Sequence, residues 1–247
     1  MLRRTILVGS IAFAVSVAVM AQSTPDVARI VRDAEAAEFR FDDTTYHIQI
    51  RLHEAGTITR EIELEVFTKG AGKLLIRLLA PGEVAGMSIL QLDRTTTFIY
   101  NPEDRSVRLV AASAQAQGFL GTDWGAAETS LVGISNGFDA TLLETTNDYY
   151  RVQLDRTTAD FPYSKIIFKY DRHHTKASEI EYYLDGVLAK TLIRDEWQTQ
   201  NGVEEASRFR IVNATADRVT EALISDWQTN TGLDDRLFTK RSLMLGE

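Results

Sequence analysis

The chain has 247 residues, a formal charge of −8 and no cysteine. It is long enough for one large all-β unit, and its fold must rest on a hydrophobic core rather than on disulfides. An acidic balance of 35 Asp and Glu against 27 Lys and Arg excludes a general nucleic-acid binder and disfavours standing contact with anionic lipid headgroups.

The first residues, MLRRTILVGSIAFAVSVAVMAQS, have the three parts of a secretory signal. Arg3 and Arg4 supply the positive end, Ile6 to Met20 the short apolar run, and Val19-Met20-Ala21 the small residues of a cleavage site. That apolar run is shorter than the roughly 20 residues a spanning helix needs. Residues 1–21 are therefore expected to be a signal peptide, and residues 22–247 one mature domain in an exported, periplasmic compartment. Removing Arg3 and Arg4 takes the formal charge from −8 to −10.

Residues 25–40 have apolar positions at helical spacing (Val27, Ile30, Val31, Ala34), with Thr24 as the expected cap and Pro25 in the first turn. From Thr44 the period changes to two. In YHIQIRL, Tyr46, Ile48, Ile50 and Leu52 share a face opposite His47, Gln49, Arg51 and His53. In EIELEVF, Ile62, Leu64 and Val66 face inward while Glu61, Glu63 and Glu65 form a solvated surface. KLLIRLL, MSILQL, TTFIYN and VRLV follow. KLLIRLL is apolar on both faces: Leu74, Ile76 and Leu78 on one, Leu75 and Leu79 beside Arg77 on the other. A sheet wetted on one side needs only one apolar face, so the extra positions serve a core, a covering helix, a partner or a ligand.

Residues 111–134 break the pattern. AASAQAQ has helical character, GFLGTDWG is a glycine-punctuated loop bearing Phe119, Leu120 and Trp124, and AAETSLVG reads as helical turns capped by Asp123. Its glycines suit a movable flap. Strands resume from FDATLLET to RVTEALISDWQT, with turns at Asn147-Asp148, Asp185-Gly186 and Asn201-Gly202. DDRLFTKRSLML closes the chain as a short helix or an extended tail. About eleven or twelve strands in antiparallel succession predict a mainly β, α+β fold: one long curved antiparallel sheet, an unclosed barrel, with helices covering its concave face.

The ordered series Lys69-Gly70, Pro81, Gly86, Tyr100, Pro102, Arg105, Arg108, Phe119, Gly121 and Asp123 resembles the outer-membrane lipoprotein-sorting protein family, the LolA-like periplasmic carriers. The likeness runs more loosely to about Trp227. It implies an unclosed β-barrel with a helical lid and a hydrophobic cavity for acyl chains, and no catalytic residue. It also implies an acylated ligand, lipid or lipoprotein, received from an inner-membrane transporter and released at an outer-membrane acceptor, with transient membrane contact. Neither metal nor cofactor is expected. Alternation, with position in the insertion, nominates Leu74, Ile76, Leu78, Met87, Ile89, Phe98, Phe119, Trp124, Leu131, Phe168 and Tyr182 for the cavity and lid.

Two other readings stay open. The same fold could serve an envelope-stress adaptor that binds a partner protein. GISNG (Gly133 to Gly137) matches a nucleophile-elbow pattern around Ser135, but it lacks the strand-then-helix setting that motif requires. His173-His174 lie in a charged turn without further ligand spacing.

Overall fold

The computed structural model describes residues 25–93, 95–111, 114, 117–128, 134–159, 161–200 and 202–245. The expected signal peptide lies outside them. Among the described residues no helix is long and apolar enough to cross a membrane.

A short helix, α1 (Val27–Glu38), leads into β1 (Asp43–Glu54), β2 (Thr57–Lys69), β3 (Lys73–Ala80), β4 (Ser88–Gln91), β5 (Thr97–Asn101) and β6 (Ser106–Leu109). After the insertion come β7 (Phe138–Thr145), β8 (Tyr149–Arg156), β9 (Lys165–Asp171), β10 (Lys176–Leu184), β11 (Val187–Gln200), β12 (Val203–Asn213) and β13 (Arg218–Thr229). The chain ends in a 3-10 turn, Asp235–Phe238, and α2 (Lys240–Leu245). Thirteen strands thus form, where about eleven or twelve were expected.

All thirteen belong to one antiparallel sheet, ordered β6-β5-β4-β3-β2-β1-β13-β12-β11-β10-β9-β8-β7. Two meanders are zipped together where β1 pairs with β13, from Thr44↔Thr229 to Glu54↔Arg218. Tight turns keep each meander in register: Ala55-Gly56 and Asp185-Gly186 both have positive φ at two successive positions, the backbone that right-twisted hairpins favour. The edges, β6 and β7, do not meet, so the barrel is unclosed. This topology has a direct consequence: the connection from β6 to β7 must cross the whole width of the sheet.

Two apolar clusters lie on the inner face. One joins α1 (Ile30, Val31, Ala34) to Val152, Leu154, Phe168, Ile180, Tyr182 and Leu192; the other gathers Ile50, Ile62, Leu64, Val66 and Leu78. Trp124 and Phe209 touch both. The α1 cap is Asp26, whose carboxylate accepts from the amides of Ala28 and Arg29 at 3.0 and 3.3 Å. It takes the place expected for Thr24, because the helix begins two residues later and Asp is at least as good a cap.

The outer face answers for the doubly apolar β3. Leu75, Leu90, Phe98 and Tyr100 are covered there by Phe238 and Leu243 of the C-terminal segment. Lys69 donates to the Leu233 carbonyl at 2.6 Å, and Ser88 to that of Leu243 at 3.0 Å. Asp43 accepts from the amides of Thr231, Gly232 and Leu233, which turn the chain after β13. Helical cover is therefore split: α1 packs on the concave face, as expected, and α2, in the segment expected as a short helix or an extended tail, lies on the outer one. The reason is the second apolar stripe of β3 to β5, which needs its own cover.

Candidate functional site

The half of the hollow formed by β1–β4 contains an apolar pocket with about 390 Å³ of empty space, part of it open to solvent. Its walls are Ile50, Ile62, Leu64, Ile76, Leu78 and Ile89, six residues delivered to one face by the period-two alternation of their strands. Phe119, Leu120, Thr122 and Trp124 form its roof, and Thr122 is the one polar residue among the ten.

The roof is part of the β6–β7 crossing, folded as a tight strap. Leu120 and Gly121 both have left-handed φ, 55° and 81°. A Cβ on Gly118 would fall 1.6 Å from the Thr122 carbonyl oxygen, so only glycine allows that approach. The Phe119 amide donates to the Trp124 carbonyl at 2.8 Å, closing the loop on itself. Arg60 then donates to the Leu120 carbonyl at 2.8 Å and pairs with Glu83 at 2.9 Å.

Asp123 pins the strap to the sheet. Its carboxylate accepts from Arg218 Nε at 2.7 Å, again from Arg218 Nη2, and from Asn213 Nδ2 at 2.7 Å; its amide donates to Thr220 Oγ1 at 2.9 Å. Burial works against ionising Asp123, but the hydrogen bonds from Arg218 and Asn213 outweigh it and hold the carboxyl below the ordinary value. Asp123 was expected to cap helical turns over AAETSLVG; it acts instead as a tether, the described part of that stretch, Ala126–Glu128, is a 3-10 turn, Phe119–Gly121 is another, and residues 129–133 lie outside the described residues.

Beyond Trp124 lies a larger chamber of about 900 Å³, open to solvent and lined by both halves of the sheet: Tyr46, Lys73, Leu74 and Gln91 from one, Lys176, Arg194, Glu205 and Phe209 from the other, with Glu38 of α1 and Trp227 of β13. Its walls are charged yet balanced. Arg194 grips Glu38 through two nitrogens at 2.5 and 3.2 Å. Lys176 meets Glu205 at 2.7 Å, and Arg40 closes on the same carboxylate. Burial opposes the charge on Glu38, but Arg194 and Lys176 prevail and its pKa falls. Glu128, set deeper, holds Lys190 at 3.0 Å and also accepts from Tyr163 and the Gly125 amide. There burial wins, and its pKa rises.

The nominated residues distribute unevenly. Ile76, Leu78, Ile89, Phe119 and Trp124 converge on the apolar pocket, and Leu74 lines the charged chamber. Met87 packs against the same cluster as the pocket walls. Phe98 lies on the outer face, with Lys240 Nζ 4.0 Å from its ring centroid. Phe168 and Tyr182, each 1% exposed, are solid core beneath α1. Leu131 lies outside the described residues. Alternation already offered Ile50, Ile62 and Leu64 as inward positions. The inward charges had a signal too: Lys190, Leu192 and Arg194 alternate on one face of β11, but a charge in an alternating strand reads first as solvent-facing.

Ser135 sits in a turn before β7, its amide donating to Glu35 at 3.0 Å. His173 and His174 take separate partners, Asp148 and Glu204.

This curled open sheet, with a strap across its hollow, is the LolA-like fold. The chain shares it with an outer membrane lipoprotein-sorting protein domain from Vibrio parahaemolyticus (TM-score 0.79, 21% identity, 88% of this chain and 97% of that one). It is equally similar to a DUF1329 family protein from Desulfovibrio piger (TM-score 0.79, 17% identity, 87% and 97%). A LolA superfamily protein from Nitrosomonas europaea follows (TM-score 0.74, 19% identity, 89% and 100%). The chain belongs to a protein family described as "-like: Uncharacterized protein", whose model matches residues 70–244. No curated protein matches it.

The residues that first suggested this fold mostly hold the scaffold. Gly86 takes φ 83°, the left-handed backbone that favours glycine, while a Cβ there would meet Pro102 only in ordinary contact at 3.6 Å. Lys69 fastens the C-terminal segment and Asp123 the strap.

Proposed function

We propose that the protein is an exported, non-enzymatic carrier that takes an acyl chain of a lipid or lipoprotein into the strap-covered pocket and moves it between membranes. The supporting observation is the pocket itself, with nine apolar residues in a lining of ten. At about 0.8 kcal/mol per buried methylene, keeping a dozen of them out of water is worth roughly 10 kcal/mol. A bilayer offers the chain nearly the same apolar environment, so net transfer is a small difference between two large terms. The direction is then set by the donor and acceptor, an inner-membrane transporter and an outer-membrane site in this reading, and by the strap. The lipoprotein-sorting description of the Vibrio relative agrees with the assignment.

Native mass spectrometry of gently purified protein tests it. The expected result is an acylated ligand at near-stoichiometric occupancy. Repeated recovery of ligand-free protein from the envelope fraction, with no uptake of added acyl chains, contradicts it.

A further inference from the structure

The charged chamber beside the apolar pocket has a chemistry of its own. Trp124 lines both spaces and stacks on Phe209 with ring centroids 6.0 Å apart, so one aromatic wall separates them. A molecule entering with its tail in the pocket would place its polar end in the chamber.

The lining limits what that end can be. Each buried cation on the chamber wall already faces a carboxylate, Arg194 on Glu38 and Lys176 on Glu205. An ionic head docking on Arg194 or Lys176 would have to displace one of these pairs and leave a buried charge uncompensated, which is strongly unfavourable, and Lys73, the remaining cation of the lining, is itself paired with Asp235 at 2.8 Å. What the walls have in surplus is N–H groups. Arg194 Nε and Trp227 Nε1 are both buried and have no hydrogen-bond partner among the described residues. Buried donors are nearly always satisfied in native proteins. Arg194 is oriented by its two bonds to Glu38 and Trp227 by stacking on Tyr46 at 5.0 Å and 16°; neither nitrogen is exposed to the open chamber, so an acceptor reaches them as the side chains over them part.

We propose that this chamber is a head-group site for an uncharged amphiphile whose ester or amide carbonyl oxygens accept from Arg194 Nε and Trp227 Nε1. A monoacylglycerol has the required parts, one tail and a neutral acceptor-rich head. The inference rests on the carrier reading and sharpens it from acyl chains in general to neutral, carbonyl-bearing ones.

The test measures equilibrium binding of tritiated 1-monopalmitoylglycerol, palmitate and hexadecane to the wild-type protein and to Trp227→Phe. Phenylalanine keeps a ring against Tyr46 and removes only the N–H. Wild-type protein should bind the glyceride more tightly than palmitate or hexadecane. Trp227→Phe should lose about five- to tenfold for the glyceride, the size of one hydrogen bond, and stay within twofold for hexadecane, which also reports that the variant is folded. Tighter binding of palmitate overturns the uncharged-head assignment. Equal glyceride affinity in the two proteins overturns the donor role. Hexadecane binding with no advantage for the glyceride defeats this inference alone, whereas binding of none of the three defeats the carrier reading with it.

Discussion

Replacing Asp123 by Asn should loosen the strap without emptying the pocket of its walls. The carboxylate is 2% exposed and takes two bonds from Arg218 and one from Asn213. Asparagine has nearly the same shape but no charge, and its amide nitrogen faces donors. Hydrogen bonds to a charged group contribute about 1.5–3 kcal/mol each. Arg218 is 30% exposed and shares its charge with water, so a total near 2–3 kcal/mol is appropriate rather than the full sum. That corresponds to a roughly 30- to 160-fold rise in local opening, at about 1.4 kcal/mol per decade. Hydrogen exchange reads it at three amides, those of Phe119, Thr122 and Asp123, which donate to Trp124, Phe119 and Thr220. The pH dependence has a definite sign. A carboxyl whose folded pKa is depressed contributes its stability fully above the unfolded value, here the ordinary 3.8, and loses it as pH falls from there through the lower folded value. Wild-type strap amides should therefore lose protection selectively below about pH 4, and those of Asp123→Asn should not show this step. Unchanged exchange at all three amides in the variant would refute the tether.

Three other outcomes follow from the packing. Gly118→Ala drives a methyl into the Thr122 carbonyl, so strap protection and acyl-chain binding should fall together while the melting of the sheet changes little; equal binding by the two proteins argues against a roof role. Glu38→Gln leaves the Arg194 guanidinium with a neutral partner in a buried setting and should cost about 3 kcal/mol or more, roughly a 10 °C drop in melting temperature; thermal denaturation checks it, and a shift under 2 °C would speak against the burial of that pair. Phe238→Ala opens the outer-face cluster and should cost about 3–5 kcal/mol with no change in acyl-chain affinity, measured by chemical denaturation beside equilibrium binding; a matching loss of affinity would mean that the outer face takes part in the site.

The fold was readable because period-two alternation and turn residues agree along most of the chain. Ile62, Leu64 and Val66 are buried as alternation requires, and Asp185-Gly186 turns where its backbone freedom allows. The pocket walls were half readable. Ile76, Leu78 and Ile89 lie on the inner face, where alternation puts them, but alternation assigns a face only within a strand. It does not say which face of β5 continues that of β3, and so Phe98 was placed inside when the register Leu75↔Leu90↔Phe98 carries it outside. Nor does it separate cavity from core: Phe168 and Tyr182 face inward as expected, and α1 fills the space above them. The path of the strap was legible only after the fact, because β6 and β7 become opposite edges through the β1–β13 pairing between the two most distant strands of the meanders. The buried ion pairs depend on that same long-range closure, which brings Glu38 and Arg194 together across 156 positions of sequence.

The central claim is that acyl chains enter the hollow on the inner face of β1–β4 beneath the strap. Photo-crosslinking with a diazirine-bearing palmitoyl probe, followed by peptide mapping, tests it most directly. Adducts should concentrate on Ile76, Leu78, Ile89 and residues 119–124, and Ile62→Asp should abolish them. Adducts confined to the outer-face residues around Phe98 and Leu243, or unaffected by that substitution, would contradict it.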